Sequence, residues 1–166
     1  IVKEWLNFLL NPDFNIIRSP KSYNSQVGVP LSVISINDKH NLGIFEAGIS
    51  KMNEMEKLET IIRPTIGIIT NIGSAHDEGF EDLEKKIKEK LKLFKHSKLL
   101  IYQKNETVDA LIESKIKVFS WSYSDETADV FVTKKAIEDK TALQIRNGKD
   151  NFEVQIPFQD EASVEN

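Results

Sequence analysis

Short apolar runs set the frame for this chain: Phe14-Asn15-Ile16-Ile17, Leu42-Gly43-Ile44-Phe45, Ile66-Gly67-Ile68-Ile69, Leu99-Leu100-Ile101-Tyr102 and Val118-Phe119-Ser120-Trp121. They lack the apolar-polar alternation of a strand with one wet face. Between them lie segments whose apolar residues recur three and four apart: Val2, Trp5, Leu6, Leu9 and Leu10, stopped by Asn11-Pro12; then Met52, Met55, Leu58, Ile61 and Ile62, stopped by Arg63-Pro64. The same spacing predicts a long helix over 77–96 and a shorter one over 105–114, with a weaker helix over 24–36 that Pro30 kinks or delays. Strands buried on both faces and separated by helices are what a parallel sheet covered on both sides requires. The expected fold is α/β, a doubly wound, mostly parallel sheet flanked by helices. From residue 128 the pattern changes: DVFVTKKAIE, ALQIRNG and NFEVQIP read as strands joined by tight turns such as Asn147-Gly148, a C-terminal antiparallel β excursion on the sheet edge.

Composition narrows the function classes. With 166 residues, 40% of them hydrophobic, one domain is expected. Twenty-two Lys+Arg against 26 Asp+Glu give a net charge of −4, which argues against a nucleic-acid or anionic-membrane surface. The absence of cysteine removes disulfides, thiolate metal sites and Cys nucleophiles together, and fits a reducing compartment. No apolar run approaches the roughly 18 residues needed to cross a bilayer, and no signal peptide opens the chain. A soluble, cytoplasmic chain without membrane insertion is expected. It begins at Ile1 rather than Met, directly in a helical pattern, so it reads as an excised piece.

In an open α/β sheet ligands gather at the carboxyl ends of the strands. Glu46 follows Ile44-Phe45 in Glu46-Ala47-Gly48, and Asn71 follows Ile68-Ile69-Thr70, opening Asn71-Ile72-Gly73-Ser74-Ala75-His76. A carboxylate and an imidazole at neighbouring strand tips could hold a divalent ion beside a phosphate; the plainer alternative is a loop carboxylate and a histidine making a local hydrogen bond. At about 100° per residue, Phe80, Leu83, Ile87 and Phe94 share a stripe, and Lys90 falls inside it while Lys85, Lys88, Lys92 and Lys95 point away. Either the Lys90 stem packs and its ammonium snorkels to water, or the amine is desolvated, with a lowered pKa, and can act as a base or add carbon dioxide as a carbamate, an oxygen ligand for a metal. His40, His96 and the lysine run from Lys85 to Lys98, interleaved with Glu81, Glu84 and Glu89, read as structural or solvated, and Trp5 and Trp121 as core. No Ser-His-Asp triad, GxGxxG fingerprint, zinc box or Walker A loop is present in the sequence.

The stretch from Asn71 to His76 resembles the signature of the central, ATP-binding domain of the Mur ligases, the ATP-dependent amide ligases of peptidoglycan synthesis. Asn24-Ser25-Gln26-Val27-Gly28-Val29-Pro30 is similar to a segment of the family's D-alanyl-D-alanine-adding branch, with Ser25 where an Asn is usual and Gln26 where an acidic residue is usual. Glu46-Ala47-Gly48 followed by Asn53-Glu54-Met55 resembles the family's E-x-G-(x4)-G-E-I pattern, with Asn53 in place of the second glycine. Glu78-Gly79-Phe80 and Leu83-Glu84 continue the likeness, and counting onward sets Lys90 at the family's carbamylated lysine, the residue the helical wheel had already singled out. The chain's start resembles the helix after the family's phosphate loop. Its end resembles the helix that contacts adenine, where only Asn166 matches and Ala162-Ser163 replaces a His-Asn pair.

The resemblance implies that residues 1–166 are a Mur ligase central domain cut just after its phosphate loop and at its adenine-contacting helix. It implies ATP and Mg2+ as cofactors and UDP-MurNAc-tripeptide and D-Ala-D-Ala as small-molecule substrates, with no nucleic acid. Glu46, His76 and carbamylated Lys90 would hold metal; Lys90, His76 and Asn71 would form the catalytic group; Asn24 and Ser25 would lie near substrate, and Asn166 near the nucleotide. The IKEKLKLF stretch resembles members fused to an alanine racemase, although nothing in the chain belongs to a racemase. The chain alone is expected to bind ATP weakly and not to turn over. Other readings are a different Mur or folylpolyglutamate synthase-like ligase and a noncatalytic α/β interaction or nucleotide-sensing module.

Overall fold

The computed structural model describes residues 1–71 and 83–165. His76, the first part of the helix expected over 77–96, and Asn166 lie outside the described residues. The chain divides into two compact units, Ile1–Thr65 with Ser74–Ser97, and Ile66–Gly73 with Lys98–Asn166.

The first unit runs α1 (Val2–Leu10), β1 (Ile16–Arg18), α2 (Gly28–Ile34), β2 (Leu42–Ile44), α3 (Glu54–Ile62) and, after the undescribed segment, α4 (Leu83–Lys92). β1 and β2 pair in parallel, Ile16 against Leu42 and Arg18 against Ile44. Pro30 is the third residue of α2, where the backbone N–H has no intrahelical acceptor, so the ring removes nothing the helix needs. α3 ends at Arg63, whose left-handed backbone (φ 48°) sends its N–H back to the Glu59 carbonyl at 2.8 Å before Pro64. α3 packs against both α2 and α4. Val29, Met55, Leu58 and Ile87 are the buried centre of that three-helix contact, none more than 2% exposed.

The second unit is a six-stranded sheet in the order β3 (Ile66–Ile69), β4 (Leu99–Gln103), β5 (Lys117–Ser122), β6 (Val130–Ile137), β7 (Lys140–Asn147), β8 (Asp150–Ile156), with α5 (Glu106–Leu111) and α6 (Glu161–Glu165). β3 to β6 are parallel and β6 to β8 antiparallel. β6 pairs with β5 only at Val130 and Phe131, then along its whole length with β7, so the C-terminal strands leave the parallel sheet as expected. The two hairpins close with two-residue loops, Glu138-Asp139 and Gly148-Lys149, the glycine taking φ +59°. Asn105 caps α5, its side-chain oxygen accepting from the N–H groups of Thr107 and Val108.

Three expectations are corrected. The parallel strands fall in two sheets, because β1 and β2 hydrogen-bond only to each other among the described strands. Two-sided burial holds for β4 but not for β3, where Ile66 and Ile68 are 56% and 37% exposed while Gly67 and Ile69 are buried. Trp5 is not a core residue: α1 rests on β1 and β2 through the face centred on Lys3, leaving Trp5, Phe8 and Leu9 exposed. Periodicity identifies residues that share a face but not whether anything covers that face. Leu58→Ala is expected to lower the unfolding free energy by about 2–5 kcal/mol in urea titration, whereas Gly148→Ala, in open space at positive φ, should cost roughly 1 kcal/mol.

Candidate functional site

In the first unit, β2 runs out at Ile44 into residues 45–53, which form no helix or strand and carry Glu46. The start of this loop is tied to the end of β1: Ser19 donates its N–H to the Ile44 carbonyl at 3.1 Å, and the Glu46 N–H donates to Ser19 Oγ at 3.3 Å. Asn24 then grips the loop twice. Its side-chain amide donates to Glu46 Oε1 at 3.1 Å, and its carbonyl accepts the Gly48 N–H at 2.8 Å. A Cβ on residue 48 would lie 3.2 Å from Asn24 Cγ, so glycine is what permits this approach.

Beneath the same carboxylate lies a buried cation that the sequence reading missed. Lys3, its side chain 5% exposed, donates to the carbonyls of Ser19 (2.8 Å) and Lys21, and its ammonium is 3.7 Å from Glu46 Oε2. Lys3 satisfies two strand-end carbonyls and leaves a positive charge beside Glu46, whose side chain remains 42% exposed. The signal was present: Lys3 is three residues before Leu6 and seven before Leu10, the same spacing that marked Lys90.

On α4 the inward face differs from the expected one. Leu83 is 50% exposed, whereas Lys86 and Glu89 are 2% and 0% exposed and Lys90 is half-buried. Glu89 is therefore not a solvated partner in the lysine run. Its Oε1 accepts the Met55 N–H at 3.1 Å, and its Oε2 stands 2.8 Å from Lys92 Nζ, an ion pair lying off hydrogen-bond alignment. Burial alone would raise its pKa, but the Lys92 ammonium and the N–H groups of Asn53 and Met55 outweigh that and hold it below the ordinary carboxylate value. For Lys90 burial, reinforced by the neighbouring Lys86 ammonium, lowers the pKa and enlarges the neutral fraction of the amine. That is the desolvated alternative of the two left open by the helical wheel.

Of the expected substrate residues, Asn24 does meet Glu46, but Ser25 turns its hydroxyl inward to accept the N–H of Gly28 at the start of α2. His40 accepts the Asn37 N–H within its own loop, and His96 Nδ1 lies 2.8 Å from Glu59 Oε1 while its ring stays exposed. In the second unit Asn71 follows the carboxyl end of β3 and donates to Glu165 Oε2 at 3.0 Å. With Thr70, Gln103, Lys104 and Asn105 it lines a small polar cleft across the carboxyl ends of β3 and β4. Gln103, Lys104 and Asn105 were not singled out in the sequence, though the strand-end rule that chose Asn71 applies equally to them.

As a magnesium site these residues supply a hard oxygen donor in Glu46, held from two sides and still open to solvent. Magnesium keeps several waters and takes one or two carboxylates plus phosphate oxygens, so such a donor fits. Among the described residues no group of three or more His, Cys, Asp and Glu converges. The Lys90 amine could join only after conversion to a carbamate. No helix of the described residues is long and apolar enough to cross a membrane.

Comparison with known proteins agrees with this layout. The chain is 28% identical over 165 residues to the UDP-N-acetylmuramoyl-tripeptide–D-alanyl-D-alanine ligase of Rickettsia prowazekii, covering 94% of this chain and 37% of that protein. It is 30% identical over 117 residues to the ligase of the same name from Borreliella burgdorferi, covering 70% of this chain and 25% of the relative. The chain thus spans little more than a third of these relatives' length. Its fold matches that of MurF from Thermotoga maritima, solved in complex with ADP, with a TM-score of 0.85 at 21% identity over 98% of this chain and 39% of that one. The model of the Mur ligase middle domain matches residues 2–166. With that match running through every element from α1 to α6, the chain belongs to the Mur ligase middle domain family.

Proposed function

We propose that this chain is the ATP-handling middle domain of an amide ligase of peptidoglycan synthesis, one that joins D-Ala-D-Ala to UDP-MurNAc-tripeptide in the cytoplasm. The observation that carries this reading is the carboxylate of Glu46 at the carboxyl end of β2, oriented by Asn24 at 3.1 Å and attended by the buried Lys3. The family match and the names of the relatives supply the reaction class, and the ADP complex of the Thermotoga maritima protein supports nucleotide use.

In the proposed reaction the terminal carboxylate of the tripeptide is activated as an acyl phosphate at the expense of ATP. The amine of D-Ala-D-Ala attacks that carbonyl, the amide bond forms, and inorganic phosphate leaves. Negative charge gathers on the transferring phosphoryl group, so positioning and clustered positive charge are what the protein must provide. Bound magnesium would neutralise phosphate charge; Glu46 would hold one ion, and His76 with carbamylated Lys90 a second. This chain's own part is to fix those ligands. Asn24 turns the Glu46 carboxylate and lies near substrate with Ser25, whose contribution would be through the turn that starts α2. Half-burial keeps a neutral fraction of Lys90 able to add carbon dioxide. Asn71 orients a phosphate oxygen or the neighbouring catalytic groups, and Asn166 contacts the nucleotide.

In the complete ligase, Lys90→Ala should lower kcat by about 100-fold or more, the scale of several kcal/mol of charge stabilisation, and the parent enzyme should lose activity when carbon dioxide and bicarbonate are stripped and regain it on their return. Phosphate release coupled to amide formation measures both. Full activity in Lys90→Ala with no response to bicarbonate rules out the carbamate. Glu46→Gln should raise the magnesium concentration for half-maximal activity by at least about tenfold, read from the same assay.

A further inference from the structure

The sequence reading left Glu89 among the solvated charges, and the proposed chemistry makes no use of it. Yet it is the most deeply buried charged group described, at 0% exposure. A buried ion pair is weak evidence for stability, since apolar residues of similar volume often do as well or better; what such a pair can supply is a unique arrangement. Here the arrangement is specific. Glu89 comes from α4 and reaches the first turn of α3, taking the Met55 N–H, one of the amides a helix start leaves without an intrahelical partner. Lys92, one turn further along α4, joins its ion pair with Glu89 to a hydrogen bond on Asn53 Oδ1 at 3.0 Å.

Asn53 is the last residue of the loop that carries Glu46, and it sits in the left-handed region at φ 66°. Asparagine tolerates that region better than other side chains. Unlike glycine, it also offers an oxygen, and Lys92 takes it. Gln26 adds a third tie, its side-chain amide donating to the Glu54 carbonyl at 3.2 Å. Glu89 is also the immediate neighbour of Lys90, about 100° around the helix. Holding Glu89 against α3 therefore fixes the rotation of α4 about its axis, and with it the direction in which Lys90 leaves the helix.

We propose that Glu89 is a positioning residue: through Met55 and the Lys92–Asn53 pair it locks the far end of the Glu46 loop onto the helix that carries Lys90, setting the two proposed metal ligands in register. This rests on the ligase reading for the roles of Glu46 and Lys90, but the lock itself is a matter of hydrogen bonds. In the complete ligase, Glu89→Ala should speed hydrogen exchange at the Met55 amide about tenfold and raise exchange across residues 45–53, with β1 unchanged. It should raise the magnesium concentration for half-maximal activity about tenfold while kcat at saturating magnesium falls less than twofold. Lys92→Met and Asn53→Gly should each shift both readouts in the same direction by roughly threefold, and the double variant should shift them no further than either single one, because both remove one contact. Unchanged exchange at Met55, or a fall in kcat with an unchanged magnesium requirement, overturns the proposal. Should Glu89→Ala fail to fold, the Lys92→Met and Asn53→Gly cycle decides it by the same measurements. If the parent protein shows no magnesium-dependent ligation, the ligase reading falls, and exchange at Met55 and residues 45–53 alone decides whether the lock exists.

Discussion

A segment without helix or strand must find partners for its backbone amides elsewhere, and residues 45–53 show where that requirement leads. The Glu46 N–H goes to Ser19 Oγ, that of Gly48 to the Asn24 carbonyl, and those of Ser50 and Lys51 both to the Glu54 carboxylate. Beyond the loop, the Met55 N–H goes to Glu89. Each bond recruits a side chain or carbonyl from β1, from the turn before α2, from α3 or from α4. Satisfying one loop thus ties together most elements of the first unit, and the orientation of Glu46 follows from that tying rather than from anything local to it.

Buried charge is the common device. Lys3 enters the interior because two strand-end carbonyls need donors, Glu89 because a helix start needs an acceptor, and Lys92 because Glu89 and Asn53 need a cation between them. An unpartnered charge in such places would be prohibitively costly, so each is surrounded by counter-groups at hydrogen-bond or ion-pair distance. The result is a unit whose apolar centre, Val29, Met55, Leu58 and Ile87, is small, and whose specificity is carried by polar contacts around it.

The second unit works differently. Its parallel strands β3 to β5 rely on ladder hydrogen bonds and on Leu100, Tyr102 and Val108 for cover, and its polar residues collect at the strand ends around Asn71 and Lys104. Lys104 is held there by Asp125 at 3.2 Å and by Thr127. Both units thus offer polar groups at the carboxyl ends of parallel strands, where βα connections leave the chain free to vary without disturbing the sheet.

Element identity was legible because hydrophobic period is a local property: α1, α3, β3 to β5 and the hairpins from β6 to β8 all lie where runs and spacings put them, as does the stop at Arg63-Pro64. Glu46 and Asn71 were legible from the strand-end rule, and Lys90 from its place on the helical stripe. Several things were not. Trp5 and Ile66 share the pattern of core residues yet face solvent, since coverage depends on what packs opposite. Ser25 carries a hydroxyl that sequence could assign to substrate, yet the Gly28 N–H takes it. Glu89 looked like a solvated partner in a lysine run, and only the approach of α3 turned it into a buried cap. The sequence by itself determined the order and kind of the elements and the family, because those follow from side-chain period and motif. Only the tertiary structure decided which charges are interior, because a charge is buried where a distant backbone group lacks a partner, and that is a long-range fact.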